Sequence, residues 1–496
     1  MQKLSKESAW PVYRREDIRT LEAQLQQITP TPLLQQAGKA AAQLALALAP
    51  HAQRIWIAAG PGNNGGDGIE AALHLHQWGK TVMVTLWADP QDLPKDAHAA
   101  WLRARAAGVP ISHELPSTWL DAMGPMDLCI DALLGLGASH KPHSALFAGV
   151  QALNHCPALI LSLDVPSGLH SESGQALDSA SDPAPSVRAD HTLTFIAAKP
   201  GLFMGQGRDA CGEIWLEDLG LAKLPRLMEP QALLNGASPR PNRRHASHKG
   251  LHGDVAIIGG ECIDARGFGM TGAAVLAASA AVHAGAGRVI LSLLSGSAQS
   301  CAPIDVMQRE WQQLDLPQLH VVCGCGGGKA VHSVLPQVLQ HSAQLVLDAD
   351  GLNAVAQDPM LQNMLAHRGA RQPTVLTPHP LEAARLLNCS TAVVQSDRLL
   401  AAQTLVKKFH CVVVLKGSGT VIAAAGVTPR INTTGNGRLA IGGTGDVLAG
   451  LIGARLAQRQ SAFEAAASAV AQHGQVANDW PQQRALTASD LAQHLN

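Results

Sequence analysis

The chain has 496 residues, enough for more than one domain, and its 46% hydrophobic against 15% charged residues excludes a disordered protein. A formal net charge of −1 leaves no basic stripe for nucleic acid or an anionic membrane. Nine cysteines with no C-x-x-C pair argue against a disulfide framework or a zinc site and read as reduced thiols of a cytoplasmic protein.

The N-terminal "MQKLSKESAWPVYRRED" is polar and reads as no signal peptide. The longest apolar run, from Thr271, carries His283 and Arg288 and changes period midway, so it reads as a buried helix followed by a buried strand and not as a membrane span. Aromatic residues are 3% while Gly numbers 47, a composition suited to α/β layers with close helix–sheet contacts.

Strands are predicted at "RIWIAAG" (Arg54), "TVMVTLW" (Thr81), "DLCIDALLG" (Asp127) and "ALILSLDVPSG" (Ala158), with helices at 68–78 and 96–107 between them. This is the βαβ rhythm of a parallel sheet, and "HTLTFIA" and "GEIWLED" read as its last strands. "AAGPGNNGGDG" (58–68) joins the first strand to the first helix. Gly60, Gly62 and Gly65 fit G-x-G-x-x-G, and Asp89 follows about twenty residues on, a dinucleotide-fold spacing. Asn63, Asn64 and Asp67 do not suit a pyrophosphate cradle; their oxygens better suit a hard cation or a hydroxylated ligand. Loops after parallel strands gather at one edge of the sheet, so Asn64, Asp131, Asp164 and Ser167 are expected to converge there. The plainer reading makes them helix caps and Asx turns.

Residues 221–245 are rich in Pro, Arg and polar side chains and read as a linker or an irregular domain start. A second α/β rhythm follows. Strands are predicted at "DVAIIGG" (Asp254), "RVILSLL" (Arg288), "LHVVCG" (Leu319), "QLVLDAD" (Gln344), "PTVLTP" (Pro373), "CVVVLKG" (Cys411) and "TVIAAAG" (Thr420), and helices at Met270, at "GGTGD" and from about Ala462. The expected division is 1–220, a linker at 221–245, and 246–496. There is no Walker A loop, since "CGCGGGKA" has Cys323 in place of the first Gly and Ala330 after Lys329. "GGTGD" remains. The backbone N–H groups of Gly443–Gly445 at a helix start can hold a phosphoryl group, while Asp446 accepts a proton from the attacking hydroxyl. The plainer reading of Asp446 is a helix-start carboxylate.

"GPGNNGGDG", "DALLGLG", "DVPSG" and "AAKPGL" resemble the N-terminal domain of the bifunctional NAD(P)H-hydrate repair enzymes, over about residues 10–220. The resemblance implies a Rossmann-like epimerase that interconverts the R and S hydrates of NADH and NADPH. It implies a potassium ion on Asn64, Asp131 and Ser167. It implies substrate contacts from Asn63, Asn64, Gly65, Gly66 and Asp67, from Gly135, Leu136, Gly137, Ala138, Ser139, His140 and Lys141, and from Asp164. An acid/base role for Asp164, assisted by Lys199, follows from position beside a cation.

"HKGLHGDVAIIGG", "MTGAAVLAA", "HAGAGRV", "LDADGLN", "TPHPLEAARLL", "VVLKGSGTVIA" and "NTTGNGRLAIGGTGDVLAG" resemble, in order, the dehydratase domain of the same enzymes, a ribokinase-like α/β fold, over about 225–496. The resemblance places the S hydrate on Ala273, Gly326, His379 and Asp446. It places the nucleotide on Lys416, Gly417, Ser418, Gly419, Thr420 and Gly445. It also implies a nucleotide cosubstrate, ADP as in bacterial members or ATP as in eukaryotic ones, with Mg2+, and transfer of a phosphoryl group to the C6 hydroxyl followed by elimination. Cys325 stands where the family pattern has Pro, Gly351 where Ala is usual, and "RLAIGGTGD" replaces a Met-Ala-Thr-Gly-Gly-Ser-Gly-Asp-like run. The expected partners are these small molecules and further copies of the chain, a homo-oligomer, with neither nucleic acid nor membrane. The competing readings are a sugar- or vitamin-type kinase fused to a dinucleotide-binding oxidoreductase domain, and a non-catalytic ligand-binding regulator in the first block with only the second active.

Overall fold

The structure, a computed structural model, describes all residues except 6–7, 139–143, 178–185, 226, 237–244, 263–268, 295–301 and 496. Two compact units make up the chain, one of Met1–Ser5 and Trp10–Ala232, the other of Lys6–Ala9 and Leu233–Asn496. The division falls inside the stretch whose composition suggested a linker. That stretch also holds a strand, Ala232–Asn235, whose residues pair in parallel with Val427–Asn432.

In the first unit the predicted strands are Arg54–Ala59, Thr81–Leu86, Leu128–Ala132, Leu159–Leu163, His191–Phe195 and Glu213–Glu217, all mutually parallel. The chain first steps from the Arg54 strand outward to the Thr81 strand. It then returns to the other side of Arg54 to lay down Leu128, Leu159, His191 and Glu213 in that order. The strand order therefore reverses between Arg54–Ala59 and Leu128–Ala132, and a crevice opens beyond their carboxyl ends. Side chains alternate across the sheet. Ile55 and Ile57 pack under the helices Leu33–Leu48 and Asn63–Gln77, while Trp56 and Ala58 pack with Leu146, Val150 and Leu153 on the opposite face.

The glycine-rich run explains itself here. A Cβ on Gly60 would lie 1.8 Å from the Leu133 carbonyl oxygen, one on Gly65 2.0 Å from that of Gly60, and one on Gly68 2.6 Å from Ala132 Cβ. Helix and sheet touch backbone to backbone, and only Gly62 of the fingerprint faces open space. The helix begins at Asn63, not after Gly68 as expected, so Asn63–Asp67 form its first turn. Asp89 is engaged locally: its carboxylate accepts the Gln91 N–H at 2.9 Å and caps the turn Pro90–Asp92.

The second unit repeats the principle with another topology. Its central strands run Arg288–Leu294, Asp254–Glu261, His320–Cys323, Gln344–Leu347, Thr374–Leu376 and Val412–Leu415, all parallel. The antiparallel strands Val421–Ala424 and Val427–Asn432 follow. The order reverses between Asp254–Glu261 and His320–Cys323. Val255 and Ile257 bury against the helices Thr271–His283 and Thr444–Ala457, and the helix Ala462–Asp479 completes the same core over the later strands. A Cβ on Gly450 would sit 2.0 Å from the Ala277 carbonyl oxygen, which is why the Thr444 helix can lie so close to the Thr271 helix. Among the described residues no helix is long and apolar enough to cross a membrane, and the apolar run from Thr271 is the expected helix and strand.

Candidate active sites

The crevice of the first unit is a cavity of about 420 Å³. Asn63, Asn64 and Asp67 line it from the helix start, Gly135–Ala138 from the turn after Leu128–Ala132, and Asp164 and Lys199 from the ends of the next two strands. Ser139, His140 and Lys141 lie outside the described residues. Gly65 and Gly66 lie on the buried face of that helix and are spent on packing. The remaining wall comes from the N-terminal helices Arg15–Ile28 and Leu33–Leu48, which supply Ile18, Arg19, Glu22 and Leu34. The sequence reading passed over these helices, although Ile18, Leu21 and Leu25 recur at helical spacing on the buried face.

Asn64, Asp131, Asp164 and Ser167 do converge, all of them on the turn 133–136. Asn64 Nδ2 donates to the Leu134 carbonyl at 2.9 Å. Ser167 Oγ accepts the Leu134 N–H at 2.8 Å, and Asp164 Oδ2 accepts that of Leu136 at 2.8 Å. Asp131 is wholly buried. Its Oδ1 accepts from Ser167 Oγ at 2.6 Å and Leu133 N at 3.3 Å, its Oδ2 from Ser162 Oγ at 2.7 Å and Ser167 N at 2.9 Å. Burial pushes its carboxyl up, and these hydrogen bonds, led by that of Ser167, oppose the shift. One polar atom is left over: Asn64 Oδ1 is buried and has no hydrogen-bond partner. A buried amide oxygen without a donor costs roughly 1–3 kcal/mol unless a cation or water meets it. The donor set, all oxygen, therefore fits a hard cation. The Ser167 hydroxyl has one proton and two acceptors, Asp131 Oδ1 and the Leu134 carbonyl at 3.2 Å, so turning it to Leu134 frees a carboxylate lone pair.

Asp164 sits in the left-handed backbone region at φ 66°, an uncommon conformation for a side-chain-bearing residue that aims its carboxylate along the cavity wall. Lys199, 1% exposed, spends all three ammonium protons inside the protein: on Asp164 Oδ1, on Thr194 Oγ1 at 2.8 Å and on the Phe195 carbonyl at 2.8 Å. Two further carboxyls were not singled out for their ionisation. Burial, then Asp164 and Glu22, push Asp67 well up, favouring its protonated form; burial, then Asp164, raises Glu22. Asp164, ion-paired with Lys199, and Asp67, whose burial favours the protonated form, thus face one cavity.

In the second unit the strand ends bring together Cys325, Asp348, Lys416 and Asp446. Asp348, 1% exposed, accepts from Lys416 Nζ at 2.6 Å and Thr377 Oγ1 at 2.8 Å. Burial alone would lower the Lys416 pKa; Asp348, then Glu382, outweigh it and leave it raised. Asp446 is the third residue of the helix Thr444–Ala457. Its carboxylate, the Asp348 carboxylate and the Cys325 sulfur have ligating atoms within 4.8 Å of one another. Burial, then the Asp348 charge, push Asp446 up to about 6. Gly443, at φ 92°, turns the chain into that helix, and a Cβ on Gly445 would lie 3.3 Å from Lys416 Nζ. Ala273 and Gly326 meet: a Cβ on Gly326 (φ 57°) would stand 2.8 Å from Ala273 Cβ. His379 caps the helix Pro380–Leu387, its Nδ1 accepting from Leu381 N at 3.1 Å, and burial followed by Lys416 lowers its pKa.

Of the loop from Lys416 to Thr420, Gly417 and Ser418 are exposed and Gly419 is buried; Thr420 Oγ1 donates to the Gly417 carbonyl at 3.0 Å. Arg398 holds this loop from beneath. It is 2% exposed and its Nη2 donates to the carbonyls of Leu415, Lys416 and Gly419 at 3.1, 3.2 and 3.4 Å. Sequence reasoning missed Arg398, which lies in the middle of a chain segment with no loop motif. It also passed over Asp348, whose signal was its place at a strand end in "LDADGLN".

The first unit carries a crevice at its switch point, and the second gathers two carboxylates and a lysine at the ends of its strands; this defines a two-unit α/β enzyme acting on polar small molecules. Comparison with known proteins narrows the class. The family model described as NAD(P)H-hydrate dehydratase matches residues 255–496, and that described as YjeF-related protein N-terminus matches residues 30–201. The bifunctional NAD(P)H-hydrate repair enzyme Nnr of Escherichia coli (strain K12) is 36% identical over 488 residues, 94% of this chain and 89% of that protein. Nnr of Coxiella burnetii is 35% identical over 508 residues, 98% of both chains. A crystal structure of the ADP/ATP-dependent NAD(P)H-hydrate dehydratase of Bacillus subtilis, co-crystallized with ATP/Mg2+, shares 29% identity and covers 51% of this chain and 91% of that one, with a TM-score of 0.43. The chain belongs to the family of bifunctional NAD(P)H-hydrate repair enzymes.

Proposed function

We propose that the first unit epimerises the R and S hydrates of NADH and NADPH and that the second dehydrates the S hydrate with ADP, yielding AMP and phosphate. The observation that carries this reading is Asp446. It stands at the start of a glycine-led helix, beside a buried Lys416–Asp348 pair, with its carboxyl raised to about 6. A base is most effective with a pKa near the working pH. In this reading Asp446 takes the proton of the C6 hydroxyl as that oxygen attacks the terminal phosphorus. Lys416 and the N–H groups of the 443–445 turn face the charge on the transferring group. Phosphate then leaves where hydroxide would not. Ala273, Gly326 and His379 hold the hydrate, Lys416–Thr420 and Gly445 the nucleotide, and Mg2+ accompanies its phosphates.

In the first unit Asn64, Asp131 and Ser167 would hold potassium, which supplies fixed positive charge beside the substrate. Asp164, ion-paired with Lys199, acts as the proton acceptor. Gly135–Lys141 and Asn63–Asp67 contact the hydrate. Eight free cysteines among the described residues suit a reducing compartment, the cytoplasm.

The test is turnover of authentic R and S hydrates by the full chain, with and without ADP, followed by absorbance of the reduced nicotinamide and by product mass. Recovery of NAD(P)H from S hydrate only with nucleotide, and from R hydrate through S, supports the reading. A stable phosphorylated product without NAD(P)H would replace it with the kinase reading. Fragments 1–232 and 233–496, assayed separately, should retain epimerisation and dehydration respectively.

A further inference from the structure

Cys129 and Cys156 belong to neither site, yet their sulfurs lie 3.5 Å apart. Cys129 is on the strand Leu128–Ala132, wholly buried among Trp56, Leu153 and Ile160. Cys156 follows the helix Ser144–His155 and is partly exposed. The strand and the helix end thus present one inaccessible and one accessible sulfur to each other. The Cys129 S–H donates to the Cys156 sulfur. That hydrogen bond, and a weaker contribution from the Ala158 N–H, bring Cys156 down to about 6 although burial opposes it. An ordinary cysteine titrates near 8.5, so this contact biases Cys156 toward the nucleophilic thiolate. Cys129, whose proton that bond holds, is pushed well up.

We propose that Cys129 and Cys156 form a reversible dithiol–disulfide pair, an oxidation site for hydroperoxides, with Cys156 the attacking sulfur and Cys129 the resolving one. The Cys156 thiolate attacks the terminal peroxide oxygen. The O–O bond breaks, the alkoxide departs and takes a proton from water, and Cys156 becomes a sulfenic acid, oxidised by two electrons. Cys129 sulfur then attacks Cys156 sulfur. The S–S bond forms as the S–O bond breaks, and the hydroxide leaves as water with the Cys129 proton. The sum is two thiols and one hydroperoxide to one disulfide, one alcohol and one water. Closing a bond of about 2.05 Å needs an approach of about 1.5 Å from the present separation. The end of a helix can supply that motion; a buried strand cannot. In a reducing compartment such a bond is transient, which is the behaviour of a sensing pair and not of a structural bridge.

The full chain is treated with hydrogen peroxide, its remaining thiols are alkylated, and the peptides are mapped by mass. The expected product is a crosslinked pair of peptides carrying Cys129 and Cys156, absent after dithiothreitol and absent in Cys156→Ser. Before oxidation, the rate at which iodoacetamide labels Cys156 should show a midpoint near pH 6, well below that of a free thiol. Sulfinic acid on Cys156 with Cys129 still a thiol would overturn the resolving role. Labelling of Cys156 with an ordinary thiol midpoint, or no crosslink at peroxide levels that oxidise other cysteines of the chain, would overturn the pair.

Discussion

Replacing Asp446 by Asn separates catalysis from stability in opposite directions. The carboxyl's folded-state value of about 6 against an ordinary 3.8 means that the folded protein disfavours its ionised form. Its stabilising contribution is therefore complete below about pH 3.8 and is lost as the pH rises through about 6. The shift is worth about 2–3 kcal/mol at pH 8, and Asn, isosteric and uncharged, does not carry that cost. Asp446→Asn should thus unfold at higher denaturant concentration than the parent at pH 8 and at the same concentration near pH 3.8. At the same time dehydration of the S hydrate should fall by about 10²–10⁴-fold, since the proton acceptor is gone. The parent's rate should drop about tenfold per pH unit below 6, and the variant should lose that limb. ADP affinity should persist or tighten, and epimerisation should not change. Urea titrations at two pH values and stopped dehydration assays read all four. Normal dehydration by the variant would make Asp446 a helix-start residue and nothing more. A variant less stable than the parent at pH 8 would refute the electrostatic reasoning, and collapse of nucleotide binding would give the residue a loop- or metal-ordering role.

Asp131→Asn keeps the shape of the buried cluster but removes its charge, so epimerisation should fall and lose its response to potassium while dehydration stays normal; equal loss of both activities would indicate misfolding. Gly65→Ala drives a methyl to 2.0 Å from the Gly60 carbonyl and should destabilise the chain by on the order of 1–3 kcal/mol or more in chemical denaturation, whereas Gly62→Ala, with nothing within 4 Å, should leave stability unchanged and raise the epimerase KM. Arg398→Met strips three carbonyls of their donor and should cost about 1–3 kcal/mol in stability, with a rise in the KM for ADP larger than any fall in kcat. Unchanged nucleotide KM would mean that Arg398 only fills the core.

The parallel strands of both units were legible because each is a short run of β-branched and aliphatic residues between polar turns, and local pattern is what sets such a strand. The motifs around Asn64 and Asp446 stood out too, because each is contiguous and chemically odd. Boundaries were less so. The helix at Asn63 begins inside what looked like a loop, since Gly65, Gly66 and Gly68 lower intrinsic helix propensity yet are required by contact with Gly60, Ala97 and Ala132. Asp89 matched a fingerprint by spacing and, in the fold, caps its own turn.

What the sequence alone determined was therefore local: strand and helix periodicity, glycine at turns, and the residue types gathered after each strand. What only the tertiary structure decided was who meets whom. The Lys416–Asp348 pair, the Arg398 clasp and the Cys129–Cys156 contact join residues 68, 17 to 21, and 27 positions apart. The value of about 6 at Asp446 likewise depends on burial and on a charge nearly a hundred residues away in the chain. Pairings of this kind leave no periodic trace, because a side chain's ionisation and its hydrogen bonds follow from distances and solvent exclusion in the folded chain, and those are set by how the layers pack.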